Sequence, residues 1–357
     1  MRAVVLREGG LEVAEVPDPV PGPGQLLVRT LACGICGSDL HALDHGDQLE
    51  AMMRASAEMP ESIVAEVLDL RRDVVMGHEF SAEVVDASRG DGSRREGDIV
   101  VSPPVLVAGT NLHMLGYSNS FPGGYGELLV LSEVLTLPVP AGIDARAAAL
   151  TEPMSVGLHA VRRSGLRPGQ PAVVVGCGPI GLAVVAALRS EGAGVVVAAD
   201  LSPARRALAG QMGAAVVVDP QEEPVFEAWR RVGGAGSEPP VVFEAVGVPG
   251  MLDHIVTTAP RDTHVVVAGV CMQPDAIQPL HAIVRELRLS FVFGYDVAEF
   301  AETLNRIAGG ELDVTPLITG SVDLDGVAGA FTELGTPGRH CKILVEPGSG
   351  RGLAGAD

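Results

Sequence analysis

The run Val173-Val174-Val175-Gly176-Cys177-Gly178-Pro179-Ile180-Gly181 constrains the fold of this chain more than any other stretch. A β-branched segment meets three glycines in the order GxGxxG and passes into an apolar segment, 180–190, of helical pattern. The first glycine, Gly176, permits a tight turn, and the second, Gly178, lets the backbone approach a pyrophosphate. The third, Gly181, allows the helix to pack closely on the strand. With Pro179 and Ile180, these residues put a helix N-terminus, its N–H groups unpaired, against phosphate. The next strand, 195–199, ends at Asp200, about twenty residues on, where a carboxylate accepts from ribose hydroxyls and repels a 2′-phosphate. That combination predicts NAD rather than NADP. Arg205 and Arg206 temper the preference, because a nearby arginine serves either cofactor; for Arg206 a surface-helix position is the plain alternative.

Around this unit the chain alternates strands and helices. Strands are predicted over 172–175, 195–199, 215–218, 241–244 and 264–268, with helices over 180–190, 203–212, 251–258 and 297–308. Such alternation implies a parallel sheet covered on both faces. The first third reads differently, as short strands over 3–6, 11–16, 25–31, 82–87 and 97–101 punctuated by Gly and Pro. Helices are expected over 51–54 and 61–70, the latter with Ile63, Val67 and Leu70 on one face.

The β-rich third also carries the reactive side chains. Cys33-Gly34-Ile35-Cys36-Gly37-Ser38-Asp39-Leu40-His41 packs thiol, hydroxyl, carboxylate and imidazole onto what reads as a loop. Cys33 and Cys36 fit a redox pair, half of a zinc knuckle, or buried small hydrophobes. His78 and Glu79 stand side by side, and Glu152 precedes Pro153 just before the nucleotide segment. Thiolate, imidazole and carboxylate together suit a catalytic zinc with an open position.

Composition removes several alternatives. With 357 residues, 47% apolar and 20% charged, the chain supports two globular domains and is not disordered. A formal net charge of −20 disfavours nucleic acid and anionic membrane surfaces as partners. Residues 171–188 carry no charge, but their glycines and internal proline suit a buried strand and helix better than a membrane span. Five scattered cysteines and no secretory pattern at the start predict a reducing, cytoplasmic location.

Taken with Gly34-Ile35-Cys36-Gly37-Ser38-Asp39-Leu40-His41, Gly77-His78-Glu79, Glu152-Pro153-Met154-Ser155-Val156-Gly157 and the glycine run, the chain resembles the zinc-dependent medium-chain alcohol dehydrogenases. Glu152, standing where classical members place a second zinc cysteine, points to the sorbitol- and threonine-dehydrogenase branch. The resemblance spans nearly the whole chain and implies an α/β protein. Its parts would be a GroES-like β-rich catalytic domain over 1–153 and 294–357, and a Rossmann doubly wound parallel-sheet nucleotide domain over 154–293. It implies Cys36 and His78 as zinc ligands, with Glu79 and Glu152 reaching the metal directly or through water. Asp39 would orient the histidine ligand, Ser38 would take the substrate proton, His41 would pass it on by way of the cofactor ribose, and Val270 would lie beside the nicotinamide. Cys33 is no ligand by this match. The implied reaction is hydride transfer between NAD and a secondary alcohol, a diol or the matching ketone, with zinc as Lewis acid. A homodimer or homotetramer, joined at 288–293, is expected with it.

Three departures qualify the resemblance. Region 103–121 lacks the family's four structural-zinc cysteines, so one zinc per chain is expected. The loop between His41 and His78 is long, and its extra segment, 47–73, either shapes the substrate site or is a surface elaboration. Ala42 and Gly294 replace an aromatic residue and an arginine that hold polyols in sorbitol dehydrogenases, so sorbitol itself is disfavoured; Phe121, Tyr125 and Tyr295 either line the pocket or are ordinary core residues. Two rivals remain: a zinc-free NADPH-dependent double-bond reductase of the same superfamily, and a non-enzymatic nucleotide-binding sensor or structural protein.

Overall fold

Runs of Val and Ala, apolar on both faces, make the second half of the chain a six-stranded parallel sheet. In spatial order its strands are Val216–Val218, Val196–Ala199, Ala172–Val175, Val241–Glu244, His264–Val267 and Arg288–Phe291. Strand order reverses between Ala172–Val175 and Val241–Glu244, the switch point at which doubly wound sheets bind ligands. The helix Pro179–Ser190 buries every residue from Gly181 to Leu188, as a segment covering such a sheet must. Val173, Val197, Val242 and Val265 form the core on one face with Phe226 and Trp229. Those two aromatics belong to the helix Val225–Gly233, which the sequence reading did not anticipate.

The structure, a computed structural model, describes residues 1–7, 9–57, 66, 68–233, 238–336, 338, 340–348 and 354–355. Contacts divide the chain into two units. One comprises Met1–Glu152, Ile318–Thr336 and Lys342–Asp357, the other Pro153–Leu317 and Pro337–Cys341. The expected boundary at 153/154 lies one residue from this division. The expected return at 294 differs, because residues 294–317, including the helix Val297–Ala308, group with the parallel sheet and the chain comes back only at Ile318.

In the first unit the strand Gln25–Gly34 is the hub of an eight-stranded sheet. It pairs antiparallel with Glu79–Asp86, Leu128–Ser132 and Lys342–Val345. A three-stranded sheet of Gly10–Glu15, Arg2–Arg7 and Val74–Val75 and a hairpin, Val105–Ala108 with Asn111–Met114, complete its strands. Register places Gly34 opposite both Glu79 and Leu344. Residues 250 or more apart in sequence thereby meet at the strand end just before Cys36.

Two expectations need correction here. The stretch 33–41 is not a loop: the strand runs to Gly34 and a helix, Gly37–Asp44, follows at once. Its start is a capping box formed by Cys36 and Asp39, a residue pair outside the usual Ser/Thr and Glu/Gln signature. The helix expected over 51–54 is longer, Gly46–Ala57, and residues 61–65 and 67 of the next one lie outside the described residues.

Candidate functional site

Cys36 caps the helix Gly37–Asp44, while His78 and Glu79 lie at the start of the neighbouring strand, so the sheet register brings the three together. One ligand atom from each lies within 4.8 Å of the others. His78 and Glu79 are buried, and Cys36 is half-buried. His78 Nδ1 faces Asp39 Oδ1 at 3.4 Å, leaving Nε2 for a ligand.

Asp39 is fully buried and held from several sides. It accepts from Tyr125 Oη–H at 2.6 Å, from the Cys36 backbone N–H at 3.0 Å and from Tyr117 Oη–H at 3.2 Å. Burial alone would push the Asp39 carboxyl up, but the His78 ring and these donors hold it below its ordinary range. For His78, burial opposes protonation, yet Asp39 and Cys36 outweigh it and hold the imidazole well above its ordinary value. Thiolate, imidazole and carboxylate are the donors zinc takes, so these residues fit it.

Glu79 has a second partner. Lys342, the only lysine in the chain and fully buried, donates Nζ–H to Glu79 Oε1 at 2.8 Å, to Oε2 at 2.7 Å and to the Ile35 carbonyl at 3.0 Å. The carboxylate is thus shared between a fixed cation and the candidate metal position. Its four lone-pair sites admit both. Sequence reasoning missed Lys342; the signal was a lone lysine inside the apolar strand Cys341-Lys342-Ile343-Leu344-Val345.

The remaining expected residues of this unit are placed as follows. Ser38 Oγ lies 2.8 Å from Tyr117 Oη, and His41 stacks on His45 at 5.9 Å between ring centroids. Burial, then the neighbouring His45, lowers the His41 pKa below its ordinary value, which favours the neutral ring. Glu152 is the second residue of the helix Thr151–Arg163, half-buried and outside the three-residue group. Cys33 is completely buried and burial drives its thiol well up, so it makes a poor thiolate. Tyr125 is not a pocket wall but the buried donor to Asp39, and Phe121 meets the His113 ring edge-on at 4.8 Å.

In the second unit, the glycines behave as the fingerprint requires. Gly176 has φ +93°, and a Cβ on Gly181 would lie 1.9 Å from the Gly176 carbonyl oxygen. Gly178 is the N-cap of the helix and Pro179 its first residue, with Ile180 next. Asp200 ends its strand with Oδ2 accepting from Cys177 N–H at 2.8 Å and Oδ1 from Ser202 N–H at 2.7 Å, which ties it to the glycine loop. Arg206 is spent on the Asp200 and Leu201 carbonyls and on Asp219 Oδ2 at 3.0 Å, while Arg205 Nε is buried without a hydrogen-bond partner. Val270, 45% exposed, follows the strand His264–Val267, and Gly247 abuts its backbone. Tyr295 stacks on Phe300.

Two family models match. An alcohol dehydrogenase GroES-like domain covers residues 22–141, and a zinc-binding dehydrogenase domain covers residues 179–309. The (R,R)-butanediol dehydrogenase of Bacillus subtilis (strain 168) is 31% identical over 351 residues, covering 94% of this chain and 96% of that protein. The chain belongs to the zinc-dependent medium-chain alcohol dehydrogenase family. Human sorbitol dehydrogenase is 28% identical over 356 residues, 96% of this chain and 94% of its own. The crystal structure of 2R,3R-butanediol dehydrogenase from Bacillus subtilis matches with TM-score 0.80 at 30% identity, covering 97% of this chain and 99% of that one. This family member is therefore an oxidoreductase of alcohols with a GroES-like and a Rossmann-type domain, in the sorbitol-like branch, and neither rival reading is favoured. Among the described residues no helix is long and apolar enough to cross a membrane.

Proposed function

We propose that this dehydrogenase moves a hydride reversibly between a secondary alcohol or vicinal diol and NAD, using one zinc held by Cys36, His78 and a carboxylate of Glu79 or Glu152. The Cys36–His78–Glu79 group carries this reading, because it unites three zinc-type donors with their ligand atoms within 4.8 Å of one another. Zinc, when bound, supplies Lewis acidity toward the substrate hydroxyl, and the nicotinamide supplies the hydride acceptor. The chain's own residues do the rest. Asp39 fixes the His78 ring, Ser38 accepts the hydroxyl proton, and His41, biased toward its neutral form, receives it onward. Lys342 holds Glu79 in place.

Preference for NAD is supported by Asp200, whose carboxylate would repel a 2′-phosphate. Absence of cysteine from 103–121 supports a single zinc. Diols are favoured over sorbitol, since Ala42 and Gly294 offer neither aromatic wall nor charged donor. A homodimer or homotetramer is supported by the edge strand Arg288–Phe291 with its exposed apolar neighbours. Five free cysteines fit a cytoplasmic location.

The deciding experiment joins metal analysis of protein purified without chelator to a scan of alcohols, diols, polyols and hydroxy acids with NAD⁺ and NADP⁺. Near-stoichiometric zinc, NAD⁺ reduction on a vicinal diol and weak activity on sorbitol are expected. Metal-free protein that reduces activated double bonds with NADPH would overturn the proposal.

A further inference from the structure

Tyr117 reaches the reacting machinery from a part of the chain that neither motif contains. Its hydroxyl lies 2.8 Å from Ser38 Oγ and 3.2 Å from Asp39 Oδ1, and its ring packs on His78 at 5.3 Å between centroids. The three residues after it bind the segment that ends the insertion. Ser118 Oγ donates to Glu66 Oε2 at 2.6 Å and accepts from the Ser120 and Phe121 backbone N–H groups at 3.0 and 3.1 Å. Ser120 Oγ donates to Glu66 Oε1 at 3.0 Å, and His113 Nδ1 stands 3.5 Å from Glu66 Oε2. Asn119 closes the contact, accepting from Asp69 N–H at 2.9 Å and donating to the Asp69 and Asp73 carbonyls at 2.9 and 3.3 Å.

We infer that Tyr117 is a positioning residue for the Ser38 hydroxyl, and that Glu66 of the insertion is the clamp that sets it there. The inference rests on the proposed role of Ser38. The hydrogen-bond inventory explains how it works. Asp39, as a carboxylate, only accepts, whereas Tyr117 and Ser38 each hold one hydrogen. When Tyr117 donates to Asp39 and Ser38 donates to Tyr117, the Ser38 lone pairs face outward, ready to accept a hydrogen bond from a substrate hydroxyl. When Tyr117 donates to Ser38 instead, the Ser38 hydrogen faces outward, ready for a carbonyl in the reverse direction. Tyr117 therefore restricts Ser38 to two useful orientations. It also gives the insertion a definite task. Through Glu66, Asp69 and Asp73 the insertion holds the turn 117–121, a region in which the chain has no cysteine to hold it by metal.

Tyr117→Phe keeps the ring on His78 and removes only the hydroxyl. It is expected to lower kcat about tenfold in both directions with little change in KM and unchanged zinc content. In the Ser38→Ala background the same substitution should cost less than about twofold, because the group it orients is gone. A crystal structure of Tyr117→Phe should find Ser38 Oγ in a changed or divided rotamer. Glu66→Ala should lower kcat in the wild-type background and add nothing to Tyr117→Phe. Full activity of Tyr117→Phe beside an impaired Ser38→Ala would overturn this inference alone, whereas a fully active Ser38→Ala would overturn the role of Ser38 beneath it. Equal losses from Tyr117→Phe with and without Ser38 would reduce Tyr117 to a structural residue. Equal losses from Glu66→Ala in both backgrounds would remove the clamp.

Discussion

Lys342 puts a positive charge into a strand otherwise made of Ile, Leu and Val, and both oxygens of Glu79 accept from it. Breaking a buried pair from one side is costly, because the remaining charge has neither water nor partner. Lys342→Met should destabilise the fold by about 3–5 kcal/mol. If Glu79 also reaches the metal, zinc will replace part of what the lysine supplied. Thermal unfolding should then register a smaller loss in zinc-replete than in chelator-treated protein. An identical loss in both states would assign Glu79 to the ion pair alone. The two cysteines separate by the same logic: Cys36→Ser should lose most of its zinc and activity, while Cys33→Ser keeps zinc, as read by metal analysis of each purified variant. Cys36, His78 and Glu79 were legible as a set because their motifs are local. Lys342 and Tyr117 were not, since their contacts exist only after the strands pair, and Lys342 lies 263 residues from the acid it holds.

Elements differ in how far their patterns betray them. The five inner and outer strands preceding Arg288–Phe291 were readable from β-branched runs, because a strand buried on both faces needs nothing else. The helix Gly37–Asp44 was hidden by its glycines and by a cap made from cysteine and aspartate. The loop between Ala172–Val175 and Pro179–Ser190 was readable to the residue, and its glycines make a sharp prediction. A Cβ on Gly181 would lie 1.9 Å from the Gly176 carbonyl oxygen, so Gly181→Ala must part helix from strand. NAD⁺ affinity should fall at least about tenfold in a binding titration, with zinc content untouched. The turn 117–121 gives a pH prediction. Burial pushes the Glu66 carboxyl up, but Ser118, Ser120 and His113 outweigh it, so its folded pKa lies below the ordinary value. A depressed carboxylate stabilises fully above its unfolded pKa and loses that contribution as pH falls through the folded one. Amide exchange over 113–121 should therefore accelerate beyond the intrinsic pH effect on acidification toward about pH 4. Glu66→Gln should make that excess disappear, and a wild-type segment whose protection ignores pH would refute the clamp's electrostatic part.

At the scale of the whole molecule, the six-stranded sheet ends in a strand whose outer edge pairs with no other strand among the described residues. Arg288–Phe291 pairs with His264–Val267 on one side only, so its other edge presents backbone donors and acceptors. The helix Pro279–Arg285 before it buries nothing completely: Leu280, Ile283 and Val284 are 68%, 69% and 62% exposed, and Phe291 and Phe293 are 72% and 86% exposed. A chain with a net charge of −20 has no difficulty staying in solution, and it still leaves five large apolar side chains uncovered within 14 residues. The homo-oligomer proposed above would meet both demands, since an edge related to itself by a two-fold axis pairs antiparallel and buries the same patch twice. The double variant Ile283→Arg/Phe293→Arg alters two exposed positions and leaves the strand register intact. Sedimentation should find wild-type protein as a dimer or a multiple of it and the variant as a monomer with native secondary structure. Zinc would stay bound in that monomer, because Cys36, His78 and Glu79 all belong to the other unit. A variant that sediments with the wild type would mean that assembly, if any, uses another face, and a wild-type monomer would leave this apolar edge for a different partner.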